Sequence, residues 1–96
     1  MAQIPGGWSE PKDADKDIQK ICDQVKDKVQ KMTGQNYHAF KAIQYKKQTV
    51  NGYNFLIKVL AGEKDYLHLR LFQASSSKAV IELKGVEQHK TKGDPL

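Results

Sequence analysis

Three histidines, one cysteine and a run of serines are the side chains in this sequence that could do metal, acid–base or nucleophilic chemistry. His38, His68 and His89 do not stand at the spacings of a metal site, either with each other or with Cys22. A nucleophile needs a base beside it and a group that orients the base. Cys22 instead falls on a stripe of apolar residues at helical spacing, where a thiol acts as a small hydrophobe. Ser75, Ser76 and Ser77 have ordinary turn composition, with no histidine near them in sequence. Gly6-Gly7 is too short to cradle a phosphate. The residues therefore read as a protein that is not an enzyme, with no catalytic group, metal or cofactor.

The formal charge of +5 and sequence pI of about 9.3 raise nucleic acid as a partner. The distribution argues against it. Lysines and acids alternate, as in Lys12-Asp13-Ala14-Asp15-Lys16-Asp17, which describes a solvated surface and not a phosphate-binding stripe. Tyr53, Phe55, Tyr66 and Phe72 could stack on bases only if exposed beside a basic groove, and their strand positions suit a core equally well. Length of 96 residues bounds the chain to one domain, 1–96. No stretch nears the roughly 20 apolar residues that cross a membrane. The start, Met1 to Trp8, lacks the basic-then-apolar pattern of a leader, and a single cysteine suits a reducing compartment. The expected location is cytoplasmic, with no membrane or nucleic-acid partner.

The elements that must position any site follow from periodicity. Ile18, Ile21, Cys22, Val25, Val29 and Met32 share one stripe, predicting an amphipathic helix over 13–33 with Asp13 or Asp15 as cap and Gly34 as stop. The rest alternates as strands over 37–50, 53–61, 66–73 and 79–89. The alternation changes phase between Ala42 and Ile43, which predicts a bulge. Asn51-Gly52 predicts a tight hairpin, because both residues tolerate positive φ. Turns are expected at 62–65 and at Ala74–Lys78. The fold class is α+β, one helix on an antiparallel sheet of four to five strands. In such a meander the turns at 48–52 and 74–78 share one edge. Residues 1–12 read as an extended trunk whose course has no period to fix it, and 91–96 as a frayed end.

Gln48-Thr49-Val50-Asn51-Gly52 resembles the Gln-Val-Val-Ala-Gly loop of the cystatins. Ile4-Pro5-Gly6-Gly7 resembles the N-terminal trunk of the stefins, the single-domain intracellular branch without disulfides. Phe40-Lys41-Ala42, Phe55 to Val59 and Tyr66 to Phe72 look like stefin strand segments in the same order, so the likeness runs from about Ile4 to about Lys92. The resemblance implies a cystatin-like fold, with a curved sheet. It also implies a reversible, competitive, tight-binding inhibitor of papain-like cysteine proteases such as the lysosomal cathepsins. The implied protease-binding wedge comprises Gly6 and Gly7 of the trunk, Gln48, Thr49, Val50, Asn51 and Gly52 of the first loop, and Ala74, Ser75, Ser76 and Ser77 of the second. A monomer is expected, with a domain-swapped dimer as the alternative. Thr49 and Asn51 replace Val and Ala of the family loop, and Ser75-Ser76 stand where stefins commonly have Leu-Pro. Two readings rival the inhibitor: a stefin-like interaction protein with weakened loops, and a small nucleic-acid binder on the same scaffold.

Overall fold

The helix begins where Asp15 can serve it. In the computed structural model, which describes residues 7–74 and 80–96, the Asp15 backbone is extended and its carboxylate accepts a hydrogen bond from the Ile18 amide at 3.0 Å. That satisfies one of the amides a helix start leaves open. Helix α1 spans Lys16–Thr33 and ends on Gly34, which is left-handed at φ 73° and donates its amide to the Gln30 carbonyl at 2.8 Å. Of the two expected caps, Asp15 takes the role, and Asp13 belongs to a short strand.

The strands are β1 (Lys12–Asp13), β2 (Lys41–Val50), β3 (Gly52–Leu60), β4 (Tyr66–Ala74) and β5 (Ile81–Lys90). They form one antiparallel sheet in sequence order. The helix stripe Ile18, Ile21, Cys22, Val25 and Val29 packs with Phe55, Ile57 and Val59 of β3 and Leu67, Leu69 and Leu71 of β4. Burying each aliphatic side chain of this kind stabilises by roughly 1.5–3 kcal/mol. The phase change falls where the alternation predicts: Ala42 faces Val59 and Gln44 faces Lys58, so Ile43 is the extra residue of a bulge. Its freed carbonyl accepts the Ala14 amide at 3.0 Å, tying the chain before the helix to β2. Gln19 completes the link from α1, accepting from the Ala42 amide at 2.8 Å and donating to the Phe40 carbonyl at 3.0 Å.

Met32 departs from its expectation. Its angle places it on the apolar stripe, yet it is 59% exposed. The buried contacts of the stripe end at Val29, and Tyr37, whose hydroxyl donates to Thr33 Oγ1 at 2.9 Å, covers the end of the helix instead. Periodicity sets the angle of a side chain and not how far along the axis its cover extends.

Residues 91–96, expected to fray, are tied down. The Thr91 amide donates to Asp94 Oδ2 at 2.8 Å. Lys58 Nζ donates to the main-chain oxygens of Lys92 and Asp94, each at 2.7 Å, and Lys46 Nζ donates to that of Leu96 at 2.9 Å. These lysines lie on the sheet face opposite the helix, so alternation alone marks them as solvated. The chain end crosses that face and buries Lys58 and His68 to 4% exposure each. His68 is buried, with Nε2 lacking a hydrogen-bond partner among the described residues.

Burial lowers the affinity of the His68 imidazole for a proton, and Lys58 and Lys90 act in the same direction against smaller opposing effects of Glu87 and Asp94. The unfolded chain therefore takes up this proton first. The stability attached to neutral His68 is full above the ordinary histidine value of about 6.5. It is lost as pH falls from there through the lowered folded value. Urea unfolding at a series of pH values should show that loss, and His68→Gln should flatten the profile within this window. Parallel profiles for the two proteins would refute the assignment.

Candidate functional site

The course of residues 7–13 is set by main-chain pairing with β2. Lys12 faces Tyr45, Asp13 faces Gln44, and Trp8 forms a bridge with Gln48. A continuous ladder from Lys12 would place Trp8 opposite Thr49, so the segment is offset by one residue around Pro11, which has no amide to give. Ser9 secures the offset. Its amide donates to the Lys47 carbonyl at 2.8 Å, and its hydroxyl accepts the Lys47 amide at 2.9 Å. The trunk therefore runs antiparallel to β2 and arrives at the β2–β3 hairpin. Gly7 stands there exposed, with no atom within 4 Å of where a Cβ would be.

The hairpin comes next. Gln48 pairs with Asn54, Thr49 with Tyr53 and Val50 with Gly52, which leaves Asn51 exposed at the tip. The Asn54 amide group donates to Gln48 Oε1 at 2.8 Å, bracing the two strands below the tip. Asn51 and Gly52 both tolerate positive φ, and of the two only Gly52 takes it, at 118°. Gly52 is buried, and a Cβ there would stand 2.5 Å from the Gln73 carbonyl oxygen and 2.9 Å from the Phe72 ring. Glycine here is thus required twice, by the backbone angle and by the approach of β4. On the helix side, Lys47 Nζ lies 4.1 Å from the centre of the Tyr53 ring and stiffens the base of the hairpin.

Ala74 pairs with Gly52 at the end of β4, and β5 begins with Ile81 opposite Gln73. The ends of β4 and β5 therefore lie beside the hairpin, while Ala61 and Asp65, joined by a 2.8 Å main-chain hydrogen bond, close the turn at the other end. Gly7, Gln48, Thr49, Val50, Asn51, Gly52 and Ala74 are brought together at one end of the sheet. Gly6, Ser75, Ser76 and Ser77, with most of the expected turn Ala74–Lys78, lie outside the described residues.

Sequence reading missed Trp8 and Ser9 as parts of this end. The available signal was a lone tryptophan in a Pro/Gly stretch, which has no reason to be there unless something holds it. Among the described residues no cluster of His, Cys, Asp and Glu could hold a metal ion. The Cys22 thiol is buried, and burial, reinforced by Asp23, pushes its pKa up to about 12, so it stays protonated and is no nucleophile at neutral pH.

Comparison with known proteins adds the following. The model of the cystatin domain matches residues 6–93. The chain is 42% identical to human cystatin-A over 94 residues, covering 97% of this chain and 96% of that protein. It is 40% identical to stefin-2 of Mus musculus over 94 residues, covering 98% of this chain and 91% of that protein. It is 38% identical to leukocyte cysteine proteinase inhibitor 1 of Sus scrofa over 94 residues, covering 97% and 91% respectively.

Gly52→Ala forces a side chain into a glycine-only backbone angle against β4. It should destabilise the fold by about 1–3 kcal/mol. Asn51→Ala, at the exposed tip, should stay within about 0.5 kcal/mol of the parent protein. Urea denaturation of both variants checks the pair, and equal midpoints would show that the tip is not constrained at Gly52.

Proposed function

We propose, since the chain belongs to the cystatin family, that it is a reversible, competitive inhibitor of papain-like cysteine proteases acting as a wedge in the active-site cleft. The family inhibits papain-like cysteine proteases, and its members are inhibitors and not enzymes. The observation that carries the finer reading is the convergence of Gly7, the Gln48–Gly52 hairpin and Ala74 on one end of the sheet.

Three features suit that role physically. Gly6 and Gly7 present no side chain, so trunk backbone can approach a cleft floor closely. The hairpin is braced by its ladder and by the Asn54–Gln48 bond, so little ordering entropy opposes binding. A wedge of loop tips need not place any peptide carbonyl in attack geometry, and so it blocks without being cleaved. Ser75, Ser76 and Ser77 complete the wedge in this proposal, with cathepsins as the natural targets. The intracellular setting of the stefins is part of the same proposal, to which a single buried thiol is suited.

The loop residues tune the strength. Thr49 brings a hydroxyl that costs about 1–3 kcal/mol if it is desolvated without a partner. Ser75-Ser76 forgo the apolar contact of a Leu-Pro pair, and one well-buried Leu contributes roughly 1.5–3 kcal/mol.

Titration of active papain with the purified protein is the direct test. Stoichiometric, substrate-competitive loss of activity is expected, and full activity at a large excess of the protein would refute the proposal. Gly6→Arg should then weaken binding by at least about ten-fold, about 1.4 kcal/mol, with the unfolding midpoint unchanged. An unaltered inhibition constant would mean that the trunk stays outside the cleft. Joint replacement Ser75→Leu and Ser76→Pro should tighten binding, chiefly through slower dissociation.

A further inference from the structure

Three large apolar side chains are exposed among the described residues: Trp8 at 41%, Met32 at 59% and Val80 at 53%. Met32 sits in the last turn of the helix. The other two lie at the hairpin end of the sheet, Trp8 beside β2 and Val80 on the far side of β4. Trp8 stands opposite Gln48 on the β1 side, and Val80 immediately precedes Ile81, the residue of β5 that faces Gln73. Trp8 is thus the exposed large apolar side chain, among the described residues, where the trunk and hairpin meet.

Trp8 is the larger of the two and the better held. Its backbone bridges to Gln48, and the next residue is fastened to Lys47 through both its amide and its hydroxyl. One side of the indole borders a shallow groove of about 220 Å³ on the sheet face away from the helix, lined also by Asn54, Leu56, Arg70 and Lys84. The rest is open. A tryptophan whose backbone is held in this way offers a large contact area with only its side-chain torsions left to order on binding. The described tip residues, Thr49, Val50 and Asn51, offer no comparable apolar area, and Ser75, Ser76 and Ser77 bring none by composition.

We propose that Trp8 is an apolar anchor of the protease interface, contacting an apolar patch on the rim of the cleft beside the hairpin and so selecting among papain-like proteases. The inference rests on the inhibitor reading above. A buried tryptophan ringed by smaller contacts is the usual form of such an anchor. A protease with charged side chains on that rim would be disfavoured, because the indole would desolvate them without a partner. The competing account is that Trp8 only lids the groove over Leu56 and Arg70, a role within the inhibitor itself.

The experiment uses the full chain and papain. Trp8→Ala should raise the dissociation constant about ten-fold or more, mainly through faster dissociation, and Trp8→Leu should recover part of the loss. Trp8 is the only tryptophan, so 5-fluorotryptophan labelling gives one fluorine resonance, which should shift when papain saturates the protein. A resonance that does not move, or an unchanged dissociation constant in Trp8→Ala while the parent protein inhibits, overturns the anchor and leaves the inhibitor reading intact. A parent protein that fails to inhibit overturns both. A loss of affinity matched by a lower unfolding midpoint, with no fluorine shift, assigns Trp8 to the groove and also overturns the anchor.

Discussion

One buried contact governs the molecule: the apolar stripe of α1 against the alternating residues of β3 and β4. Ile57, Val59, Leu67, Leu69 and Leu71 are within 1% of complete burial, as are Cys22 and Val29 of the helix. Because strand side chains alternate, a one-residue slip of either central strand would turn Lys58, or His68 and Arg70, toward the helix. The register is therefore not adjustable. It carries the hairpin tip with it, since the same ladder that aligns Ile57 with Leu69 aligns Gly52 with Ala74. The end of the sheet that holds the hairpin is thus positioned by the core beneath the sheet.

The opposite face of the sheet follows from the same constraint. Alternation sends Lys58 and His68 outward, where the helix cannot cover them. The chain end covers them instead, its main-chain oxygens accepting from the ammonium groups of Lys58 and of Lys46 beside it. A buried ammonium is tolerable only when its donors are met. Residues 91–96 are thus held by a need of the sheet and not by any apolar pattern of their own.

What could be read from residues alone was whatever repeats with a period. The helix stripe, the four long strands and the bulge after Ala42 each leave a mark in the alternation. Asn51-Gly52 was legible as a turn but not as a geometry, because the pairing of Val50 with Gly52 puts the demand for positive φ on one residue. The family likeness named the loops of the site. The trunk was illegible in its course, because Gly6, Gly7 and Pro11 give no period and the partners of Trp8 and Ser9 lie some 38 to 40 residues away, at Lys47 and Gln48. The tail and Met32 failed for a related reason: periodicity describes a face and cannot say what covers it.

The order of the sheet leaves β5 as an outer strand ten residues long, with one side of its backbone open among the described residues. A straight strand of this length would be a template for uncontrolled strand addition and aggregation. This one is unsuited to that. Its pairing with β4 is broken by two register shifts, and His89 turns to φ 61° near its end. Glu82, Lys84, Glu87 and Lys90 place charges along it, with Lys84 and Glu82 paired at 2.7 Å and Lys90 and Glu87 at 3.5 Å. On the far side, β1 is only two residues long and follows a proline. Both margins of the sheet therefore offer little regular open backbone for a further strand to pair with.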